Sequence, residues 1–209
     1  MYKKYLKRLI DIVMSLGGIV CLSWLYLILI VAIRLDSPGP ILFRQKRVGK
    51  KKRHFQILKF RTMRTDTPHD MPTHLLQDPD QFITRTGRFL RKTSLDELPQ
   101  LWNILKGDMS VVGPRPALWN QFDLIEEREK YGANDIRPGL TGWAQIHGRD
   151  ELEIEEKAKL DGYYAEHLSF GLDLKCFLRT IGAVLRSDGV VEGGTGRMAQ
   201  ERGEEKKVS

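Results

Sequence analysis

Cysteine is scarce in this chain, with only Cys21 and Cys176 among 209 residues. That excludes a disulfide scaffold and a thiolate zinc site, and it fits a reducing compartment. Acids are scarce at one end. Residues 1–64 carry 15 Lys/Arg against two acids, Asp11 and Asp36, a net of +13. Residues 65–209 carry 19 basic and 25 acidic side chains, a net of −6, so the total of +7 hides a basic head on a mildly acidic body. Such asymmetry points to a polyanionic partner for the head. The head has no helix-turn-helix, zinc finger or RNP-like aromatic pattern, so nucleic acid is not the expected polyanion. No GxSxG, GxGxxG or Walker A motif occurs. The five histidines (His54, His69, His74, His147, His167) show no metal-ligand spacing. Repeats are absent as well. The apolar fraction of 41% excludes general disorder and a polytopic membrane protein, and the length suggests one domain with an appendage.

What is present begins with an uncharged segment, Ile12–Ile33, long enough for a bilayer core of roughly 30 Å. It is too long for a signal peptide, and no small-residue cleavage site follows. Lys3, Lys4, Lys7 and Arg8 precede it; Arg34 and then ten Lys/Arg between Arg44 and Arg64 follow. A single crossing places one basic group on the wrong side, whereas a re-entrant helix keeps both cytoplasmic. A bitopic anchor with its short N-terminus outside is the alternative, and a buried core helix is the bland reading. The cations of Arg44–Arg64 read as a surface for anionic lipid head groups, each contributing about 1 kcal/mol. The expected division is 1–36 anchor, 37–186 main domain, which the motifs below make catalytic, and 187–209 polar tail.

In the body, Ile41–Gln45 and Phe55–Phe60 read as short strands, and residues 65–81 as a polar loop. Leu98, Leu101, Trp102 and Leu105 fall at helical spacing, with Gly107 as the stop. Ser110–Val112 reads as a strand, Ala117–Lys130 as a helix, Arg137–Gln145 as turns and Glu151–His167 as a charged helix. Leu174, Phe177, Leu178, Ile181 and Leu185 make a final apolar stripe, facing either the core or a membrane interface.

The chemistry centres on Ser94-Leu95-Asp96-Glu97. It fits a capping box with Ser94 as cap; a later start with Asp96 as cap leaves Pro99 harmless in the first turn. Either way a carboxylate pair sits at a helix N-terminus, where the dipole keeps a carboxylate ionised. An ionised Asp can attack phosphorus if cations offset the substrate's charge. Arg88, Arg91 and Lys92 lie upstream and Arg115, between Pro114 and Pro116, downstream. Arg115 reads either as a positioned phosphate clamp or as a surface arginine in a rigid turn.

An ordered set of motifs then resembles the bacterial sugar transferase family, the monotopic phosphoglycosyl transferases. They are Lys7-Arg8 with Asp11, Ser37-Pro38-Gly39-Pro40, Phe43-Arg44-Gln45, Arg47-Val48-Gly49, Lys59-Phe60-Arg61-Thr62-Met63 and Leu95-Asp96-Glu97-Leu98-Pro99-Gln100. Gly107–Pro116, Arg137–Gln145, Gly148-Arg149, and Asp161 with Tyr163-Tyr164 continue the series. The resemblance implies an α/β, mostly helical fold with a re-entrant membrane helix, interfacial amphipathic helices and a short sheet. It implies that Asp96 attacks the β-phosphate of a UDP-sugar, that UMP leaves, and that polyprenyl phosphate takes the phosphosugar from the aspartate, with Mg²⁺ required. Asp96 is then the nucleophile and a Mg²⁺ contact, and Glu97 its partner. Arg91, Arg115, Arg88, Lys59 and Arg61 bind phosphate, Thr141, Gln145 and Asp161 belong to a nucleotide-sugar pocket, and Lys7, Arg8 and Ser23 to the anchor. Implied partners are membrane phospholipids and a second copy of the chain, on the cytoplasmic face of the bacterial inner membrane. The implied role is the first membrane step of capsule, exopolysaccharide, O-antigen or glycoprotein glycan synthesis. Arg115-Pro116-Ala117-Leu118 with Asn120-Gln121 and Asp123-Leu124-Ile125 resembles members acting on N-acetylated amino sugars. A silent membrane-surface scaffold is the alternative function. One departure stands out: members commonly carry a mid-helix Ser-Pro, but here Trp24 follows Ser23 and no proline precedes Pro38. Ser23 and Gly17-Gly18 are left to bend the helix.

Overall fold

A computed structural model describes residues 1–67, 81–148 and 152–186, without the side chains of 184–186. The expected tail 187–209, Arg149, the Leu185 side chain and most of the 65–81 loop lie outside the described residues.

The apolar segment is two helices, α1 (Lys7–Cys21) and α2 (Ser23–Asp36), which with the short turn before them bend by 62°. The break falls at Leu22 (φ −98°, ψ 7°), while Leu22 N still donates to Gly18 O and Tyr26 N to Leu22 O. Ser23 is exposed. Packing explains the bend better than any residue at the break. Gly18 lets α1 close onto α4 (Gln100–Lys106), since a Cβ there would meet Leu101 Cδ1 at 3.0 Å. Leu29 and Ile33 of α2 instead bury against Phe60 and Leu90. The two halves thus bury on different parts of the body, and the axis must turn between them. Among the described residues no single helix is long and apolar enough to cross a membrane.

The strands β1 (Leu42–Val48) and β2 (His54–Phe60) form an antiparallel hairpin in register Leu42–Phe60 to Val48–His54. Its turn, Lys50–Arg53, is exposed, with Lys51 and Lys52 in the left-handed region and Lys52 Nζ 3.1 Å from Glu129 Oε1. α3 (Arg85–Lys92) starts from Thr84, whose Oγ1 accepts from Gly87 N at 2.9 Å. Gly87 is required there: a Cβ would lie 2.0 Å from Thr62 O. α4 ends at Gly107 (φ 102°), as its sequence predicts. Arg8 seals that end, donating to Ile104 O at 2.6 Å and Leu105 O at 2.8 Å.

β3 (Ser110–Val112) pairs in parallel with β4 (Gly139–Thr141), which the sequence reading left among turns. Three residues opening on a glycine carry no period-2 signal. The described residues therefore hold two separate two-stranded sheets rather than one. The helix expected over Ala117–Lys130 is shorter, α5 (Phe122–Glu129). Its first residues are diverted to the hairpin, where Ala117 O accepts from Val48 N at 2.9 Å. α6 (Ile154–Glu166) and α7 (Phe170–Arg186) are the last described elements. The main core joins Ile57, Ile104, Met109, Val111, Val112, Tyr164 and Cys176. α7 buries Asp173 and Cys176 and exposes Phe170, Leu174, Leu178 and Ile181, so the expected stripe divides between core and surface.

Candidate active site

Asp96 and Glu97 lie in a single 3₁₀ turn, Leu95–Glu97, between α3 and α4. Neither capping arrangement forms. Ser94 sits in the left-handed region (φ 56°) and Pro99 occupies the cap of α4, so the carboxylates project beside the helix instead of closing its end. A non-glycine residue at such a φ costs on the order of 1 kcal/mol or more, which the surrounding packing must offset.

Cations from three elements converge on the pair. Lys59, on β2, places Nζ 2.8 Å from Glu97 Oε1 and 3.5 Å from Asp96 Oδ2. Arg115, just past β3, donates from a terminal guanidinium nitrogen to Glu97 Oε1 at 3.1 Å. Arg91, on α3, donates from Nε to Thr62 Oγ1 at 3.0 Å and adds its charge to the field at Asp96. Three cations against two carboxylates leave a surplus of positive charge for an anionic substrate.

The two carboxyls are driven apart. Burial pushes Asp96 up, the Glu97 charge adds to this, and Lys59, Arg91 and Arg115 recover only part. Burial also disfavours ionised Glu97, but the charges and hydrogen bonds of Lys59 and Arg115 outweigh it and hold Glu97 far below the usual range. Glu97 is therefore a fixed anion that anchors two cations. Asp96 is the adjustable group, unencumbered by a close arginine fork. Oppositely shifted neighbours of this kind mark acid–base or nucleophilic sites.

The remaining expected residues go elsewhere. Arg61 is buried and donates to Pro38 O at 2.5 Å and Ser37 O at 2.6 Å; it holds the Ser37-Pro38-Gly39 turn and is not brought to the carboxylates. The turn's free carbonyls claim its guanidinium. Arg88 is exposed on α3, and among the described residues no contact joins it to the carboxylates. Asp161 is committed to a buried fork with Arg128, at 2.5 and 2.9 Å, so it does not line a pocket. Thr141 meets Thr180 Oγ1 of α7, and Gln145 Nε2 donates to Leu140 O at 3.0 Å; neither is brought to the carboxylates. Lys7 and Arg8 point inward rather than to a lipid surface: Lys7 Nζ meets Asp173 Oδ2 at 2.7 Å.

Sequence reasoning missed several supports. Asp11, 2% exposed, accepts from Ser110 Oγ and Val111 N, both at 2.9 Å, and pins β3 to α1. An acid one turn past Lys7-Arg8, entering an apolar run, was the available signal. Thr62, which orients Arg91, stood in a family motif with no role assigned to it.

For Mg²⁺, the donor set is the test. Among the described residues no cluster of three or more acidic, His or Cys side chains exists. Asp96 beside Glu97 nevertheless fits Mg²⁺, which commonly takes one or two carboxylates and fills its shell with substrate phosphate oxygens and water.

The family model described as bacterial sugar transferase matches residues 2–187. The chain is 43% identical over 197 residues to an uncharacterised sugar transferase, EpsL, of Bacillus subtilis, covering 94% of this chain and 95% of that protein. It is 42% identical over 191 residues to a UDP-glucose:undecaprenyl-phosphate glucose-1-phosphate transferase of Caulobacter vibrioides, covering 87% and 70%. It is 40% identical over 191 residues to a UDP-N-acetylgalactosamine-undecaprenyl-phosphate N-acetylgalactosaminephosphotransferase of Aeromonas hydrophila, covering 88% of this chain but 45% of the relative.

Proposed function

Since the chain belongs to the bacterial sugar transferase family, we propose that it moves a sugar-1-phosphate from a UDP-sugar to polyprenyl phosphate, releasing UMP. The observation that carries this reading is the buried Asp96, adjustable in charge, beside an anionic Glu97 that holds Lys59 and Arg115 in place. The relatives' substrates, UDP-sugars and undecaprenyl phosphate, support the same reaction.

In the first step an Asp96 carboxylate oxygen bonds to the β-phosphorus, and the bond from that phosphorus to the oxygen bridging the two phosphates breaks. UMP leaves with the electron pair. In the second step the acceptor's phosphate oxygen attacks the same phosphorus and frees Asp96. Lys59, Arg91 and Arg115 orient the diphosphate and balance its equatorial charge, worth several kcal/mol where water is excluded. Mg²⁺, held by Asp96 and the diphosphate, would supply further charge neutralisation. The N-acetylated amino sugar remains the donor we favour, on the Arg115–Ile125 run.

Membrane seating belongs to the same proposal. Leu9, Val13, Leu16, Val20, Trp24, Leu27, Ile28, Val31 and Leu35 are all exposed along α1 and α2, a larger apolar surface than a soluble monomer normally shows. With the 62° bend this supports a helix pair that enters and leaves the cytoplasmic face.

Purified protein with Mg²⁺, undecaprenyl phosphate and a panel of UDP-sugars tests the reaction, with UMP as readout. At least one donor should release UMP, and Asp96→Asn should lower the rate by about 10³-fold or more. Folded protein that releases no UMP from any donor refutes the reading.

A further inference from the structure

Beyond the carboxylates lies a buried polar hub that no step above uses. Asp173, on the inner side of α7, accepts three hydrogen bonds: from Tyr2 Oη at 2.5 Å, Tyr164 Oη at 2.5 Å and Lys7 Nζ at 2.7 Å. Two of those donors reach a second acceptor. Lys7 Nζ donates to Val112 O at 2.9 Å, and Tyr164 Oη lies 3.0 Å from the same carbonyl. The single Tyr164 proton is thus shared between Asp173 and Val112 O, with the shorter contact to the carboxylate. Tyr164 is fully buried and Asp173 is 8% exposed.

Val112 is the last residue of β3, and the chain runs from it through Gly113 and Pro114 into Arg115. On the other side Gly113 N donates to Thr141 O at 2.7 Å and Gly139 N to Pro114 O at 2.9 Å. The segment is gripped between β4 and the hub just before the guanidinium that meets Glu97. A Cβ on Gly113 would lie 2.4 Å from Arg137 O, so the segment has no slack on the β4 side.

We infer that Asp173, acting through Lys7 and Tyr164 on the Val112 carbonyl, is a positioning residue for Arg115. Three elements that carry neither carboxylate, α1, α6 and α7, thereby set where the guanidinium stands. The inference rests on the proposed transfer only in giving Arg115 a diphosphate to meet.

The test is a double-mutant cycle with two readouts. Tyr164→Phe removes one hydroxyl and keeps the ring; Asp173→Asn is the second probe, used if it folds. With UMP release measured below the unfolding range, Tyr164→Phe should lower kcat/KM about tenfold in the wild-type background. It should cost less than twofold on top of Arg115→Lys. Hydrogen exchange over residues 110–116 should speed up, while the β1–β2 hairpin stays unchanged. An equal fold-loss in both backgrounds overturns the inference, because the hub would then act independently of Arg115. If the wild type releases no UMP, the proposed transfer fails, and exchange alone decides: unchanged protection over 110–116 in Tyr164→Phe overturns the positioning role.

Discussion

Replacing Arg128 with Met leaves the Asp161 carboxylate alone in the interior. Arg128 and Asp161 side chains are 5% and 1% exposed, and the fork between them uses both Nε and a terminal nitrogen on one oxygen. Breaking a buried pair from one side costs about 3–5 kcal/mol, because the orphaned charge cannot recover its water. For a chain of this size each kcal/mol moves Tm by roughly 2–4 °C, so Arg128→Met should lower Tm by roughly 6–20 °C. Arg128→Met with Asp161→Leu should recover most of that loss, since an apolar pair of similar volume needs no desolvation. Thermal unfolding in detergent gives the stabilities, and UMP release well below each Tm gives the kinetics. KM for the UDP-sugar should stay within twofold for both variants. A KM raised tenfold or more with Tm unchanged would refute the reasoning and return Asp161 to the nucleotide-sugar pocket.

Further outcomes follow from the site. Because burial raises Asp96 and only its carboxylate attacks, single-turnover UMP release should rise with pH, with a midpoint above the ordinary carboxylate value. Lys59→Met removes the leading cation that pulls Asp96 down, so its midpoint should move higher still; an unmoved midpoint rejects this account of the site's electrostatics. Glu97 has the opposite sign: its depressed value gives stability above the unfolded carboxyl's range that is lost as pH falls, so Lys59→Met should also be less stable at neutral pH. Gly87→Ala drives a Cβ into the Thr62 backbone and should cost about 1–3 kcal/mol while displacing Arg91 from Thr62. Gly17→Ala, with nothing within 4 Å of its Cβ, is the control; matching losses of Tm and UMP release in the two variants would dismiss the clash.

What the sequence conveyed divides by range. Gly107 as a stop, the hairpin strands and Ser110–Val112 rest on local rules, and the structure places them within a few residues of expectation. The diversion of Ala117 to Val48 and the pairing of Gly139–Thr141 with β3 depend on segments about 70 and 30 residues away, so no local pattern carries them. The capping box failed for a related reason. Ser94 and Glu97 have the right spacing, but Lys59 and Arg115 claim Glu97, and the turn twists to present it. At the site, the motif residues Asp96, Glu97, Lys59, Arg91 and Arg115 were all legible as types. Their assignment to one another was not, and Arg61, whose spacing from Lys59 looks equally suited to phosphate, is turned onto the Ser37 and Pro38 carbonyls instead.

The charge asymmetry shows the same limit from the other side. A net of +13 over residues 1–64 suggests a continuous cationic surface, yet its members have different tasks. Lys7, Arg8 and Arg61 are turned inward onto carbonyls, and Lys59 faces the carboxylates. Lys50–Arg53 remain exposed, but at the far end of a hairpin whose other end, at Leu42 and Phe60, packs with α2. Seven residues at about 3.3 Å each put that turn roughly 20 Å along the strands from the helix pair. Beyond about 8 Å exposed charges are largely screened at physiological salt. A hairpin standing away from the lipid surface would therefore give these four cations little hold on head groups; only one lying along it would. On the proposed transfer, the polyanion that the head meets is then the diphosphate at Lys59, where one cation, partly buried and already oriented by two carboxylates, outweighs several on a solvated turn.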